Sequence, residues 1–249
     1  MQMPFLPGRD AALFLDFDGT LVGIAETPEA VKVPDGLVPL LAQLHYALEG
    51  AVAIVSGRPV DVLDRFLAPL RLPTAGEHGA HRRDADGHLM ERAPTDLSEV
   101  IAAANALANR HTGLLVERKQ AAVALHYRLA PELEQLCLDT MAETVGDRPE
   151  FELLHGKCVV EIKPAGTNKG TAITAYLKEA PFLDRKPFFF GDDTTDESGF
   201  AVAQAFGGLG IKVGPGSTRA AARVDGPAAV YEWLKQAADA LAGPGTAPR

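Results

Sequence analysis

The sequence predicts an α/β protein: a doubly wound, Rossmann-like parallel sheet carrying a smaller inserted α/β segment. Three observations predict it. Short uninterrupted apolar runs end abruptly in Gly, Asp or Ser, helical periodicities lie between them, and the middle of the chain follows a different order. The 249 residues suffice for one large domain or two small ones, and 47% hydrophobic residues is ordinary for a globular protein with a real core.

The apolar runs are residues 11–15, 51–55, 187–190 and 209–213. Runs of this length suit strands buried on both faces, as in parallel sheets. Leu37, Leu40, Leu41, Leu44 and Leu48 recur at helical spacing, as do Val62, Leu63, Phe66, Leu67 and Leu70. Asn168, Lys169 and Gly170 open another helix, which carries Ile173, Tyr176 and Leu177. Residues 81–163 read instead as helix, strand, helix, strand, strand. Leu97, Val100, Ile101, Ala104 and Leu107 mark the first helix, and Leu133, Leu136, Cys137, Thr140 and Met141 the second. Residues 114–128 form one strand-like stretch, and His155, Gly156 and Lys157 a hairpin turn. The expected organisation is a core of 1–80 with 164–249, and an inserted domain of 81–163.

A net charge of −9 argues against a broad nucleic-acid surface, which needs a basic excess. A cluster of carboxylates would suit a hard cation such as magnesium. Cys137 and Cys158 stand in no zinc-ligand spacing and read as two reduced thiols of a cytoplasmic protein. No signal peptide or membrane span is read, because Asp16 and Asp18 interrupt the early apolar stretch. Residues 242–249 read as a frayed tail, and the protein as a monomer.

The chemistry concentrates where strands end. Asp16 and Asp18, in DFDGT, follow the first strand, and in an extended chain residues i and i+2 face one side. Two such carboxylates repel unless a cation or proton lies between them. GDDTTDE at 191–197 places four acids after another strand, including Asp192, Asp193 and Asp196. Two acidic clusters, each directly after an apolar strand, predict an oxygen-ligated magnesium site at the carboxyl edge of the sheet. Ser56, Gly57 and Arg58 follow the second strand, where a hydroxyl and backbone N–H groups suit phosphate oxygens. Lys169 lies at a predicted helix start, which also favours phosphate.

These four elements, in this order, resemble the motifs of the haloacid dehalogenase superfamily. The resemblance implies that Asp16 is the nucleophile and Asp18 the general acid and base. It makes Ser56 and Lys169 phosphate ligands. It assigns the metal to Asp16, the main-chain carbonyl of Asp18, and Asp192, with Asp193 and Asp196 supporting Lys169 or the metal's water shell.

Further motifs narrow the resemblance: SGRP at 56–59, GEHGA at 76–80, VERKQAAVALHYR at 116–128, GKCVVEIKP at 156–164 and NKG at 168–170. With GDDTTDE, their joint order is similar to the trehalose-6-phosphate phosphatase family over about residues 11–234. The resemblance implies a phosphosugar substrate and makes the inserted segment a cap that grips a disaccharide through Glu117, Lys119 and Glu161. Arg58, Glu77 and His78 lie on core loops that could face the same cleft; His126 and Arg128 are weaker candidates. Arg118 stands where an acidic residue is expected. Other readings are a sucrose- or mannosyl-phosphate enzyme of the same superfamily and a phospho-accepting signalling receiver. Receivers are about half this length and lack both an insert and a partner for Asp16 placed like Asp18.

Overall fold

The computed structural model describes residues 5–25, 27–91 and 96–242. The tail expected from 242 onward lies, past Ala242, outside the described residues. In chain order the strands are β1 (Ala11–Leu15), β2 (Val52–Val55), β3 (Thr74–Gly76), β4 (His81–Arg83), β5 (Leu89–Glu91), β6 (Leu115–Arg118), β7 (Val123–His126), β8 (Phe151–Gly156), β9 (Val159–Pro164), β10 (Lys186–Gly191), β11 (Leu209–Val213) and β12 (Ala222–Val224). The helices are α1 (Leu37–Ala47), α2 (Val60–Leu67), α3 (Ser98–Ala108), α4 (Glu134–Val145), α5 (Lys169–Tyr176), α6 (Glu197–Ala205) and α7 (Pro227–Ala242). None of the described helices is long and apolar enough to cross a membrane. The chain divides into two compact units, Met1–Met90 with Asn168–Arg249, and Glu91–Thr167.

The large unit is built on one sheet in the order β12-β11-β10-β1-β2-β3-β4-β5. From β12 to β3 every pairing is parallel. Every residue of β1 and β2 is buried, because helices cover both faces of such a sheet. Leu37, Leu41 and Leu44 of α1, Ile173 and Tyr176 of α5, Phe200 of α6 and Trp233 of α7 complete its core. Chain order climbs from β1 through β2 to β3 on one side and from β10 to β12 on the other. The switch point therefore lies between β1 and β10, and in such sheets ligands bind beyond the carboxyl ends of the strands there.

The small unit has an antiparallel sheet in the order β6-β7-β9-β8. Val123, Leu125, Val160 and Ile162 pack with Val100, Ala104 and Leu107 of α3 and with Cys137 and Met141 of α4. Both cysteines are free thiols.

The fold class agrees with the sequence, and particular elements differ. The expected insert, 81–163, and the compact unit, Glu91–Thr167, part at both ends. β4 adds antiparallel to β3, so residues 81–90 stay with the large unit. The stretch 114–128 is two strands, because the chain reverses where Lys119 donates its N–H to the Ala122 carbonyl. The β8–β9 turn sits at Lys157 and Cys158, with Gly156 still paired to Val159.

Candidate active site

Asp16 prolongs β1 by one residue, donating its N–H to Phe190 of β10 at 3.0 Å. The chain then turns back, with Leu21 and Val22 both donating to the Phe17 carbonyl. Gly19 takes φ +78°, which costs glycine little. A Cβ there would lie 2.2 Å from the Asp192 carboxylate, so only glycine lets the loops after β1 and β10 meet.

Lys169 is brought to Asp16 and Asp196 by the start of α5. The Asn168 side chain accepts the Thr171 N–H at 2.9 Å, and Thr171 Oγ1 accepts the Asn168 N–H at 3.0 Å. This reciprocal cap fixes the first turn. Lys169 Nζ donates to Asp16 Oδ1 and to Asp196 Oδ1, each at 2.7 Å. Thr20 Oγ1 donates to the other Asp16 oxygen at 3.2 Å, and the Asp193 N–H to the other Asp196 oxygen at 2.9 Å. Asp16, Lys169 and Asp196 are all buried.

Asp16, Asp192 and Asp196 each offer a carboxylate oxygen, all within 4.8 Å of one another. Burial pushes the Asp16 carboxyl well above the usual carboxylate range; Lys169 opposes this, while Asp196 and Asp192 add to it. Burial also works against a charged Lys169, but Asp16 and Asp196 hold its pKa above the ordinary lysine value. Lys169 thus pairs with two of the three clustered carboxylates. That donor set fits a hard, oxygen-ligated divalent cation. Asp84, Asp86 and His88 form another acidic grouping, but its exposed turn is accounted for by Asp84 Oδ1 accepting the N–H groups of Asp86 and His88.

The other expected core residues gather around β2 and β3. Ser56 is buried, and its Oγ accepts the Arg58 N–H at 3.2 Å. Arg58 grips Asp18, from Nε to Oδ2 at 2.6 Å and from Nη2 to Oδ1 at 2.8 Å. Glu77 and His78 are buried in a tight turn with φ of +47° and +57°. Left-handed backbone is rare for such residues and is found where surrounding structure imposes it. Here the Glu77 N–H donates to the Arg58 carbonyl and the His78 N–H to the Ser56 carbonyl. The His78 ring packs on Gly57, where a Cβ would lie 2.8 Å from Nε2. Asp193 and Asp196 separate: Asp196 joins the carboxylate cluster, while Asp193 Oδ1 accepts the Thr194 N–H at 2.7 Å.

Within the small unit, Glu117, Ala124 and Glu161 stand in one row across β6, β7 and β9. Side chains alternate faces along a strand, so this row faces away from the apolar side that packs on α3 and α4. Lys119 Nζ donates to Glu161 Oε2 at 2.5 Å, with both side chains 7% exposed. His126 Nε2 lies 2.8 Å from Glu117 Oε2. Arg128 is more peripheral, with Nη2 reaching the Lys157 carbonyl at 3.4 Å.

Sequence reasoning gave no role to Thr20 or Lys212. Lys212 is buried in β11 and donates to the main-chain carbonyls of Asp192 and of Val213, the latter at 3.0 Å. The signal was a lysine inside the apolar run 209–213, since a buried ammonium needs acceptors.

Residues 14–229 match the family described as Trehalose-phosphatase. The chain is 44% identical over 236 residues to a trehalose-6-phosphate phosphatase of Escherichia coli, covering 92% of this chain and 87% of that protein. It is 47% identical over 207 residues to a probable trehalose-phosphate phosphatase of Sinorhizobium fredii, covering 82% and 78%. The solved C-terminal domain of the C. albicans trehalose-6-phosphate phosphatase superposes with a TM-score of 0.81 at 25% identity, over 92% of each chain. With a match that runs from the end of β1 into α7, the chain belongs to the trehalose-phosphatase family.

Proposed function

We propose that the protein is a magnesium-dependent phosphatase that hydrolyses trehalose 6-phosphate to trehalose and phosphate. The observation that carries this reading is the Asp16 carboxylate, held by Lys169 beside Asp192 and Asp196 at the sheet's switch point. Asp16, Asp192 and the main-chain carbonyl of Asp18 would hold the cation, with Asp196 within reach of the same cluster. Bound there, magnesium supplies positive charge that lets an anionic carboxylate approach a phosphate dianion. Lys169 adds fixed positive charge from within the fold.

An Asp16 oxygen attacks phosphorus, and the bond from phosphorus to the sugar oxygen breaks. Asp18 gives its proton to that departing oxygen. Asp18, now a carboxylate, takes a proton from water as the water oxygen attacks the aspartyl-phosphate. Inorganic phosphate leaves, and Asp16 is restored. Phosphate release from trehalose 6-phosphate, glucose 6-phosphate and other sugar phosphates tests the reading. Turnover should favour trehalose 6-phosphate and stop in excess chelator until magnesium is restored. Equal efficiency on glucose 6-phosphate would overturn the substrate, and full activity in chelator the cation.

The small unit's charged row supplies the sugar contacts in this reading. Hydrogen bonds to charged groups contribute about 1.5–3 kcal/mol, so Glu117→Ala, Lys119→Ala and Glu161→Ala should each lower kcat/KM on trehalose 6-phosphate by about 10- to 100-fold. A small aryl phosphate cannot use those contacts, and its hydrolysis should change little. Lys119→Ala and Glu161→Ala should also lower the melting temperature, because each leaves half of a buried ion pair behind. Equal losses on both substrates would remove the small unit from recognition.

A further inference from the structure

We infer that Arg58 is a positioning residue for Asp18: its guanidinium fork sets the orientation of the proton-shuttling carboxylate, and it does not serve primarily to read the sugar. The inference rests on the reading of Asp18 as general acid and base. Its geometric basis is the two-point contact of Nε and Nη2 with the two Asp18 oxygens, at 2.6 and 2.8 Å. A planar fork against a planar carboxylate fixes direction as well as distance.

Everything else around Arg58 immobilises it. Nη1 donates to the Pro28 carbonyl at 2.9 Å. The guanidinium carbon lies 5.1 Å from the Phe66 ring centre and 5.7 Å from that of Phe17, within cation–π range. Its own backbone is tied at both ends, the N–H to Ser56 Oγ and the carbonyl to the Glu77 N–H. The Arg58 side chain is 12% exposed and that of Asp18 36%. Arg58 is thus the fixed half of the pair and Asp18 the half that needs fixing. A guanidinium has five N–H donors. Among the described residues, the Nε donor and one on each Nη are already committed.

The SGR turn lies beside the DFDGT loop because β1 and β2 are neighbouring parallel strands, and the fork then joins two residues 40 apart in sequence. Without the fork, Asp18 would sample the ordinary staggered rotamers of a half-exposed side chain. Misplacing a reacting group by about 1 Å can cost on the order of 100-fold in rate.

A double-mutant cycle tests this on the full chain with magnesium and trehalose 6-phosphate, using Arg58→Ala, Asp18→Ala and the pair. Arg58→Ala should lower kcat by about 10- to 100-fold with KM changed less than about threefold. In the Asp18→Ala background the same change should cost less than about threefold, since nothing is left to orient. Equal losses in both backgrounds, or a loss confined to KM, would overturn the inference and make Arg58 a direct substrate contact. Should Asp18→Ala itself cost nothing, the acid–base reading of Asp18 fails, and this inference with it. Arg58→Lys keeps the charge and the packed stem but loses the fork. If Arg58→Ala does not fold, Arg58→Lys carries the cycle, with the same two outcomes and circular dichroism as the folding control.

Discussion

Asp16→Asn should abolish turnover while leaving the fold in place. The substitution removes the proposed anionic nucleophile but keeps size, shape and an Oδ1 acceptor. Lys169 can still donate to that oxygen at its present 2.7 Å and retains Asp196 as a full carboxylate partner. Removing a nucleophile from an assembled site costs up to about 10⁶-fold in kcat where it has been dissected, so a loss beyond about 10⁴-fold is expected here. Steady-state phosphate release gives the loss, acid-quenched protein shows whether a covalent phosphate still forms, and circular dichroism reports the fold. A folded Asp16→Asn protein with near-normal turnover would end the covalent mechanism.

Lys169→Met should damage both stability and rate. Asp16 and Asp196 are buried, and Lys169 is the ammonium they share. Breaking a buried ion pair from one side costs about 3–5 kcal/mol. For a chain of this size that corresponds to a fall in melting temperature of roughly 6–20 °C. On the proposed mechanism, fixed positive charge at the reacting phosphate is lost as well, for about 10²- to 10³-fold in kcat. Thermal unfolding and turnover of the same preparation check both effects. Unchanged stability would show that the carboxylates are neutralised by something other than Lys169.

What could be read from the sequence follows from burial. β1 and β2 are apolar throughout, and β10 and β11 are apolar but for Lys186 and the buried Lys212, so all four announce themselves as runs. β3, β4 and β12 are three residues each and draw on Thr, His and Arg, so no periodicity marks them. They become strands because a neighbouring edge offers hydrogen bonds, which is tertiary information. Likewise, Asp16, Lys169, Asp192 and Asp196 could be expected near one edge because each follows a strand or opens a helix. That Arg58 would close on Asp18 could not, since strand order places a loop but does not choose the partner of a side chain.

The strand order also has a consequence for how the chain acquires its structure. β1 is central to the large sheet, yet its partner β10 begins 171 residues after its last residue, from Leu15 to Lys186. A chain growing on the ribosome therefore exposes one flank of a wholly apolar strand through the whole synthesis of residues 91–167. Those intervening residues contain every pairing partner of β6, β7, β8 and β9, so they can condense among themselves while the first strand waits. The Asp16–Lys169 contact, and with it the candidate site, belongs to a late stage of maturation, because it cannot form before α5 has emerged. Truncation anywhere upstream of β10 would leave an open hydrophobic edge as well as an incomplete site.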